Sequence, residues 1–99
     1  MRALACVFLL ACGAKHEAKT HQVEIRGMQF VPATLTVDAG DTVVWTNRDV
    51  VPHTVTAAGA FDSQSIAGGQ QWLHVVTSAG DFTYGCTFHP TMTAKLTVR

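Results

Sequence analysis

The residues with the clearest chemistry lie in a short run near the C-terminal end of the chain. Cys86, His89 and Met92 stand at a regular three-residue spacing. His53 follows a proline, 33 positions before the cysteine. Together they offer one thiolate, two imidazoles and one thioether, and a His₂Cys plane with a weak axial Met is the donor set of a blue-copper electron-transfer site. We therefore predict one copper ion bound by these four residues.

The same residue types admit other interpretations. Cys86 alone could be a small buried hydrophobe and Met92 alone a core filler, while a lone histidine could be a solvated surface residue. A zinc site could use the cysteine and both histidines, but zinc sites rarely recruit a thioether. A nucleophilic Cys–His pair is also conceivable, although no orienting third residue or oxyanion motif accompanies it. The combination of all four ligand types favours copper.

Length and composition indicate one globular domain. The chain has 99 residues, 47% of them hydrophobic and 14% charged, which suits a well-buried fold rather than a disordered segment. The formal net charge is zero, so no basic or acidic surface points to nucleic acid or to a strongly charged substrate. We expect a monomer without a nucleic-acid partner.

The N-terminal segment is predicted to be a targeting signal. Residues 1–11 combine one positive charge, an apolar stretch and a small residue before Cys12, as in a secretory signal peptide. The ending resembles a bacterial lipobox, which would make Cys12 the lipid-modified first residue of the mature chain. An ordinary signal peptide, or a misassigned start, is the alternative. Residues 12–21 are predicted to be a flexible tether and residues 22–99 the folded domain.

The distribution of cysteines agrees with export. Cys6 falls in the signal and Cys12 at the proposed lipid site, which leaves Cys86 as the one thiol of the domain. A lone thiol in an oxidising compartment needs protection, and a bound metal supplies it. We expect a protein that faces the periplasm and is attached to a membrane only through a lipid on Cys12. Gly13 is not an Asp-type retention signal, which favours the outer membrane.

Hydrophobic alternation with a period of two predicts β-strands throughout the domain. Turn residues separate the segments roughly every 8–12 positions, and helices are expected to be absent or limited to a turn within residues 58–67. We predict an all-β, antiparallel Greek-key sandwich. The predicted strands are residues 22–28, 34–37, 42–47, 53–57, 71–77, 82–86 and 94–98, and the predicted core and sheet-face aromatics are Phe30, Trp45, Trp72, Phe82 and Tyr84.

The wider pattern around the candidate ligands resembles the cupredoxins. It reads Phe30-x-Pro32, Gly40-Asp41-Thr42-Val43-x-Trp45-x-Asn47, Pro52-His53-Thr54-Val55 and Gly80-x-Phe82-x-Tyr84-x-Cys86-x-x-His89-Pro90-x-Met92. The match covers residues 22–99 and is closest to the amicyanin and plastocyanin branch, with the short ligand loop of amicyanins. The resemblance implies a cupredoxin-like fold, one type 1 copper ion, and a carrier of single electrons rather than an enzyme.

Three residues near His53 are expected to support the ligands. The resemblance implies that the amide of Asn47 ties the His53 loop to the Cys86 loop, unless this residue only initiates a turn. Pro52 has a fixed φ and stiffens the approach to His53. Thr54 stands where many relatives carry Asn. Its N–H can still donate to the Cys86 thiolate, whereas a side-chain bond at this position is an open question.

Two residues beside His89 have expected roles as well. Phe88 stands where amicyanins carry proline, so its N–H is expected to donate to the thiolate and favour Cu(I) over Cu(II). Pro90 would let the His89 ring swing away from Cu(I) and become protonated. The resemblance also implies that His89 breaks the surface within an apolar patch, formed here by Val50, Val51, Pro52, Phe88 and Pro90.

The expected partners are larger redox proteins of the cytochrome c, dehydrogenase or oxidase type, which would dock weakly at this apolar patch. A copper-binding lipoprotein for copper storage or delivery is the alternative function, and a β-sandwich with a vestigial site is a second. A storage or delivery protein would favour exposed, exchangeable ligands. The remaining histidines have no ligand spacing: we expect His16 and His21 to be solvated and His74 to be a strand residue.

Overall fold

The computed structural model describes residues 16–99, which form nine strands and no helix. The predicted signal at residues 1–11 and the predicted lipid site at Cys12 lie outside the described residues. None of the described residues belongs to a helix that could cross a membrane. The strands are β1 Thr20–Arg26, β2 Gln29–Val31, β3 Thr34–Val37, β4 Thr42–Asn47, β5 Thr56–Ala57, β6 Phe61–Asp62, β7 Gln71–Val75, β8 Gly80–Cys86 and β9 His89–Val98.

The strands form two sheets, in the order β2-β1-β4-β7 and β3-β9-β8-β5-β6. The prediction of an all-β sandwich is confirmed, but the expected antiparallel pairing is wrong at two places. Strands β1 and β4 run parallel, and so do β3 and β9. Each parallel pair joins strands that are distant in the chain, which allows the crossover that parallel pairing needs. Period-two alternation reports which face is buried and carries no information on strand direction.

The core lies between the sheets and is centred on Trp45 of β4. This side chain is fully buried, and its ring meets the ring of Tyr84 on β8 edge-on, with centroids 5.6 Å apart. The indole N–H donates to the Tyr84 hydroxyl across 3.1 Å, which satisfies a polar group that would otherwise be costly to bury. Phe30 packs on the other side of Tyr84 at 4.8 Å. The predicted aromatic core is confirmed, with Trp72 and Phe82 partly buried against it.

Several strand ends differ from the predicted ones. Strand β1 begins at Thr20, inside the predicted tether, because Thr20 pairs with Thr42 at the start of β4. Strand β9 begins at His89, well before the predicted start at residue 94. His53 lies outside any strand and makes a single antiparallel bridge with Ile66. The segment between Cys86 and His89 is therefore a short turn. Cys86 ends β8, and His89 and Met92 both belong to β9.

The ionisation of Tyr84 tests the burial of this core. Burial raises the pKa of Tyr84 to about 12, although the bond from Trp45 acts in the opposite direction. A free tyrosine titrates near pH ~10. Below about pH 10 the tyrosine is neutral in both the folded and the unfolded chain, so its raised pKa does not affect the free energy of unfolding. As the pH rises from there toward 12, the unfolded chain ionises first and the folded state loses stability.

Tyr84 is the only tyrosine of the chain, so phenolate absorbance reports it alone. We expect native protein to titrate near pH 12, as its raised pKa requires, and guanidinium-denatured protein to titrate near pH ~10. Native protein that already titrates near the denatured value would contradict the buried position of this ring.

Candidate metal centre

Three of the four predicted ligands converge at one end of the sandwich. The donor atoms of His53, Cys86 and His89 lie within 4.8 Å of one another. The Cys86 sulfur is 3.6 Å from Nδ1 of His53, and the two imidazole rings have centroids 5.1 Å apart. His53 and Cys86 are buried, whereas His89 is half-buried. One thiol and two ring nitrogens at this spacing suit a soft or borderline transition-metal ion.

Met92, the fourth predicted ligand, is buried in the same core cluster as Cys86. It lies in β9, three residues after His89, where β8 and β9 approach each other closely. A Cβ on Gly85 would lie only 2.6 Å from the carbonyl oxygen of Met92, so this approach requires a glycine. The ladder is also irregular between Gly85 and Cys86. Gly85 was missed by sequence reasoning because a close backbone approach across strands leaves no local pattern.

Asn47 supports His53 but does not reach the Cys86 loop. Its fully buried amide nitrogen donates to the carbonyl oxygens of Val51 and Ile66, each at 2.9 Å. Its side-chain oxygen accepts the N–H of Asp49 at 2.9 Å, which is the bond of a turn-initiating Asn. The expected tie to the Cys86 loop is therefore wrong, and the turn role holds. Asn47 fixes the path of the chain into His53.

Thr54 makes the link that was expected of Asn47. Its backbone N–H donates to the Cys86 sulfur at 3.3 Å, as predicted. Its hydroxyl oxygen accepts the N–H of Thr87 at 2.9 Å and lies 2.9 Å from the hydroxyl of Thr56. The open question about a side-chain bond at this position is thus resolved, because threonine binds the Cys86 loop directly. Thr87 was not singled out in the sequence, since only the fold brings it to Thr54.

The expected bond between Phe88 and the thiol is absent. Within residues 16–99, the backbone N–H that donates to the Cys86 sulfur is that of Thr54, and none comes from Phe88. The turn directs the N–H of Thr87 toward Thr54 instead. The Phe88 side chain is 51% exposed, so its ring lies at the surface rather than over the thiol. The prediction that the Phe88 N–H tunes copper is therefore wrong.

Asp49 orients the His53 ring and was missed by sequence reasoning. Its Oδ2 lies 2.8 Å from Nε2 of His53, and its two oxygens also accept the N–H groups of Gly27 and Met28, at 2.7 and 2.9 Å. Because the carboxylate accepts the ring N–H at Nε2, the lone pair of Nδ1 remains free on the side of Cys86. A carboxylate behind a ligating imidazole fixes its tautomer and raises its basicity. The only available signal was an acid four residues before a histidine.

The environment keeps Asp49 ionised. Burial acts to raise its pKa, but the bonds from Met28, His53 and Gly27 outweigh it, and the pKa of Asp49 is lowered overall. A second close approach holds this segment in place. A Cβ on Gly68 would lie 2.6 Å from the carbonyl oxygen of Asp49, so the neighbouring loop packs there without a side chain. Asp49 is thus a charged group fixed on the outer side of His53.

Comparison with known proteins agrees with this site. The cupredoxin-like domain family matches residues 1–98. The chain is 37% identical to amicyanin of Paracoccus denitrificans over 82 residues, 77% of this chain and 63% of that protein, and thus spans somewhat under two thirds of that relative. It is 28% identical to amicyanin-alpha of Methylorubrum extorquens, covering 99% of this chain and 92% of the relative. An amicyanin variant solved with Cu(I) is similar with a TM-score of 0.76 and 32% identity, over 81% of this chain and 82% of that one.

A two-sheet β-sandwich with one thiol and two imidazoles gathered at one end is the architecture of a copper-binding cupredoxin. The chain belongs to the cupredoxin-like family. Its amicyanin relatives and neighbours identify the amicyanin branch and confirm the predicted copper cofactor. The donor set fits that ion. It combines the Cys86 thiolate, the His53 imidazole oriented by Asp49, the half-buried His89 imidazole and the buried thioether of Met92. Amicyanin- and plastocyanin-like cupredoxins are blue copper electron carriers.

The bond between Asp49 and His53 generates a test. Asp49→Asn keeps an oxygen that can accept the ring N–H but removes the negative charge. We expect the reduction potential of the copper-loaded protein to rise by several tens of millivolts, because a less basic imidazole stabilises Cu(II) less. About 1.4 kcal/mol of differential stabilisation corresponds to roughly 59 mV for one electron.

The matched control is Asp81→Asn. It makes the same change of charge at an exposed residue, the second of β8, at the opposite end of that strand from Cys86. Voltammetry of the three proteins at equal ionic strength separates the local effect from the change in net charge. Equal potentials for wild type and Asp49→Asn would show that this carboxylate does not act on the metal.

Proposed function

We propose that this protein carries single electrons in the periplasm through one type 1 copper ion held by His53, Cys86, His89 and Met92. The observation that carries the proposal is the convergence of the Cys86 thiol with the two imidazoles at the buried end of the sandwich. Copper, when bound, supplies one-electron chemistry by alternating between Cu(II) and Cu(I). The role of the protein is to hold the ligands in place, to exclude water and to limit movement of the ligands during electron transfer.

Rigidity of the ligands supports electron transfer over catalysis. His53 is fixed by Asp49 at Nε2 and by paired backbone bonds to Ile66, at 3.1 and 2.7 Å. Cys86 is fixed by the N–H of Thr54. Ligands anchored before the metal arrives cannot relax far toward the geometry that either oxidation state prefers, so little reorganisation accompanies each electron. The same burial of His53 and Cys86 disfavours the alternative of copper storage or delivery, which needs exchangeable ligands.

Exposed apolar residues that neighbour His53 and His89 in the chain support a docking role for this end of the molecule. Val50 is 95% exposed, and Val51 and Phe88 are 40% and 51% exposed. Pro52 and Pro90 are also exposed. His89, which directly precedes Pro90, is half-buried. Apolar side chains at a surface suit a weak, short-lived encounter with a larger redox protein of the cytochrome c, dehydrogenase or oxidase type. The carrier would act as a monomer and not as an enzyme in its own right.

The predictions for the N-terminal segment complete the proposal. Export through the signal at residues 1–11 would deliver the domain to the periplasm, and a lipid on Cys12 would hold it at a membrane, with the outer membrane favoured. The support is the sequence pattern of a charged start, an apolar stretch and a small residue before Cys12. Such an anchor would keep the carrier near membrane-bound redox partners without a membrane-spanning segment.

The ligand assignment predicts distinct spectra for two variants. Copper-loaded wild type should be intensely blue through charge transfer from the Cys86 thiolate. Cys86→Ser should lose this band, whereas Met92→Ala should keep a strong band and change the reduction potential, because an axial thioether tunes rather than forms the chromophore. Leu73→Ala is the control, since that side chain is 59% exposed on β7, in the sheet that contains neither Cys86 nor Met92. A blue Cys86→Ser protein would refute the assignment.

Lipidation at Cys12 is tested by fractionation of the full-length chain expressed in a bacterial host. Wild type should partition into the detergent phase, and Cys12→Ser should become soluble or stay unprocessed. Cys6→Ser removes a thiol that falls within the predicted signal, so it should behave as wild type. Recovery of wild type wholly in the aqueous fraction, cleaved at another position, would count against the lipid anchor.

A further inference from the structure

A second cluster of metal-binding side chains lies at the other end of the sandwich. It is built around Asp41, which directly precedes β4, whereas Asn47 ends that strand beside His53. Six residues of extended chain separate the two ends by roughly 20 Å. The two clusters are therefore independent sites.

The Asp41 carboxylate is held in a fixed orientation. Asp41 is 1% exposed, and each of its oxygens accepts one backbone N–H. Oδ1 accepts from Lys19 at 2.9 Å, and Oδ2 accepts from Asp38 at 3.0 Å. A carboxylate has about four acceptor sites, so one site on each oxygen is left for another group. A buried, anchored carboxylate with remaining lone pairs is a suitable first ligand for a cation.

Two histidines occupy those remaining positions. Nε2 of His16 lies 2.9 Å from Oδ1 of Asp41, and Nε2 of His21 lies 2.9 Å from Oδ2. The expectation that both histidines are solvated holds for His16, which is exposed, and is wrong for His21, which is half-buried. Their spacing in the chain gave no signal, because His21 meets Asp41 only through the parallel pairing of β1 with β4, and His16 lies before β1. Residues 16–21 are held against the sandwich at this point.

A second carboxylate completes the cluster. Oδ2 of Asp38 is 3.7 Å from Nε2 of His16, and the donor atoms of His16, Asp38 and Asp41 all lie within 4.8 Å of one another. The only cation in contact with these carboxylates among residues 16–99 is Arg99, whose Nε is 3.1 Å from Oδ1 of Asp38. Two carboxylates against one guanidinium leave a net negative charge when the imidazoles are neutral.

The ionisation of Asp41 agrees with this picture. The bond from His16, followed by the N–H of Lys19, the bond from His21 and the N–H of Asp38, lowers the pKa of Asp41 far below its ordinary value despite burial. Asp41 is therefore a carboxylate throughout the neutral range, and a metal ion need not displace a proton from it. Only the tautomer of His16 must change, so that Nε2 presents its lone pair.

We propose that His16, Asp38 and Asp41 form a second metal site that binds a divalent cation of the Zn²⁺ type. One imidazole and two carboxylates are donors that zinc accepts, with water at the remaining coordination position. His21 is a positioning residue, because it bonds the other oxygen of Asp41 and fixes the ligand from outside. A metal ion here would lock residues 16–19 onto the domain, at the end opposite the copper.

Zinc titration by calorimetry of the copper-loaded, full-length protein tests the site. We expect one zinc ion per chain, with the blue absorbance unchanged because copper remains in its own site. His16→Gln and Asp38→Asn should each weaken zinc binding at least tenfold, since each removes a ligand. His21→Gln should weaken it about 10-fold through loss of positioning. His74→Gln is the matched control, as that ring stacks on Trp72 and touches neither site.

The proposal is overturned if no zinc binds, or if His16→Gln and Asp38→Asn bind zinc as tightly as His74→Gln does. Trypsin cleavage after Lys19 gives an independent measurement. Zinc should slow this cleavage in wild type and leave it unchanged in His16→Gln, and equal protection in both would also overturn the site. Should copper fail to load, the proposed function fails, whereas the zinc difference between wild type and His16→Gln still decides this proposal.

Discussion

The copper centre depends on one physical link, the attachment of the Cys86 segment to the His53 segment through Thr54. These segments are 33 positions apart in the chain, and the Thr54 backbone N–H meets the sulfur while its hydroxyl meets the N–H of Thr87. The link fixes a thiol and an imidazole at a spacing that one metal ion can bridge. The two-sheet core makes the link possible, because Trp45 of β4 packs against Tyr84 of β8 across it.

The His53 side of the centre is supported from a third part of the chain. Asp49 binds the back of the ring and is itself held by the N–H groups that follow β1, at Gly27 and Met28. Close packing at Gly68 keeps this loop in position. The histidine therefore has a defined tautomer before any metal binds, which lowers the entropic cost of assembling the site and would limit movement of this ligand between oxidation states.

The sequence was sufficient to predict the copper cofactor, the all-β class and the aromatic core, because these depend on residue type and on local periodicity. It was not sufficient for strand direction, which the alternation of side chains does not encode. It also misassigned the partners of Asn47 and Phe88, and it missed Asp49, Gly85 and Thr87. Each of these residues acts across a distance in the chain, so its role exists only once the sheets have formed. The cluster at Asp41 shows the same limit, since parallel pairing alone brings His21 beside it.

The central claim is that one copper ion is bound through the Cys86 sulfur and two imidazole nitrogens. Extended X-ray absorption at the copper edge of the loaded wild-type protein tests it most directly. The claim predicts one short copper–sulfur distance and two copper–nitrogen distances, nearly unchanged when the sample is reduced, because the ligands are fixed by the protein. A copper shell made only of nitrogen and oxygen, or one that rearranges on reduction, would contradict it.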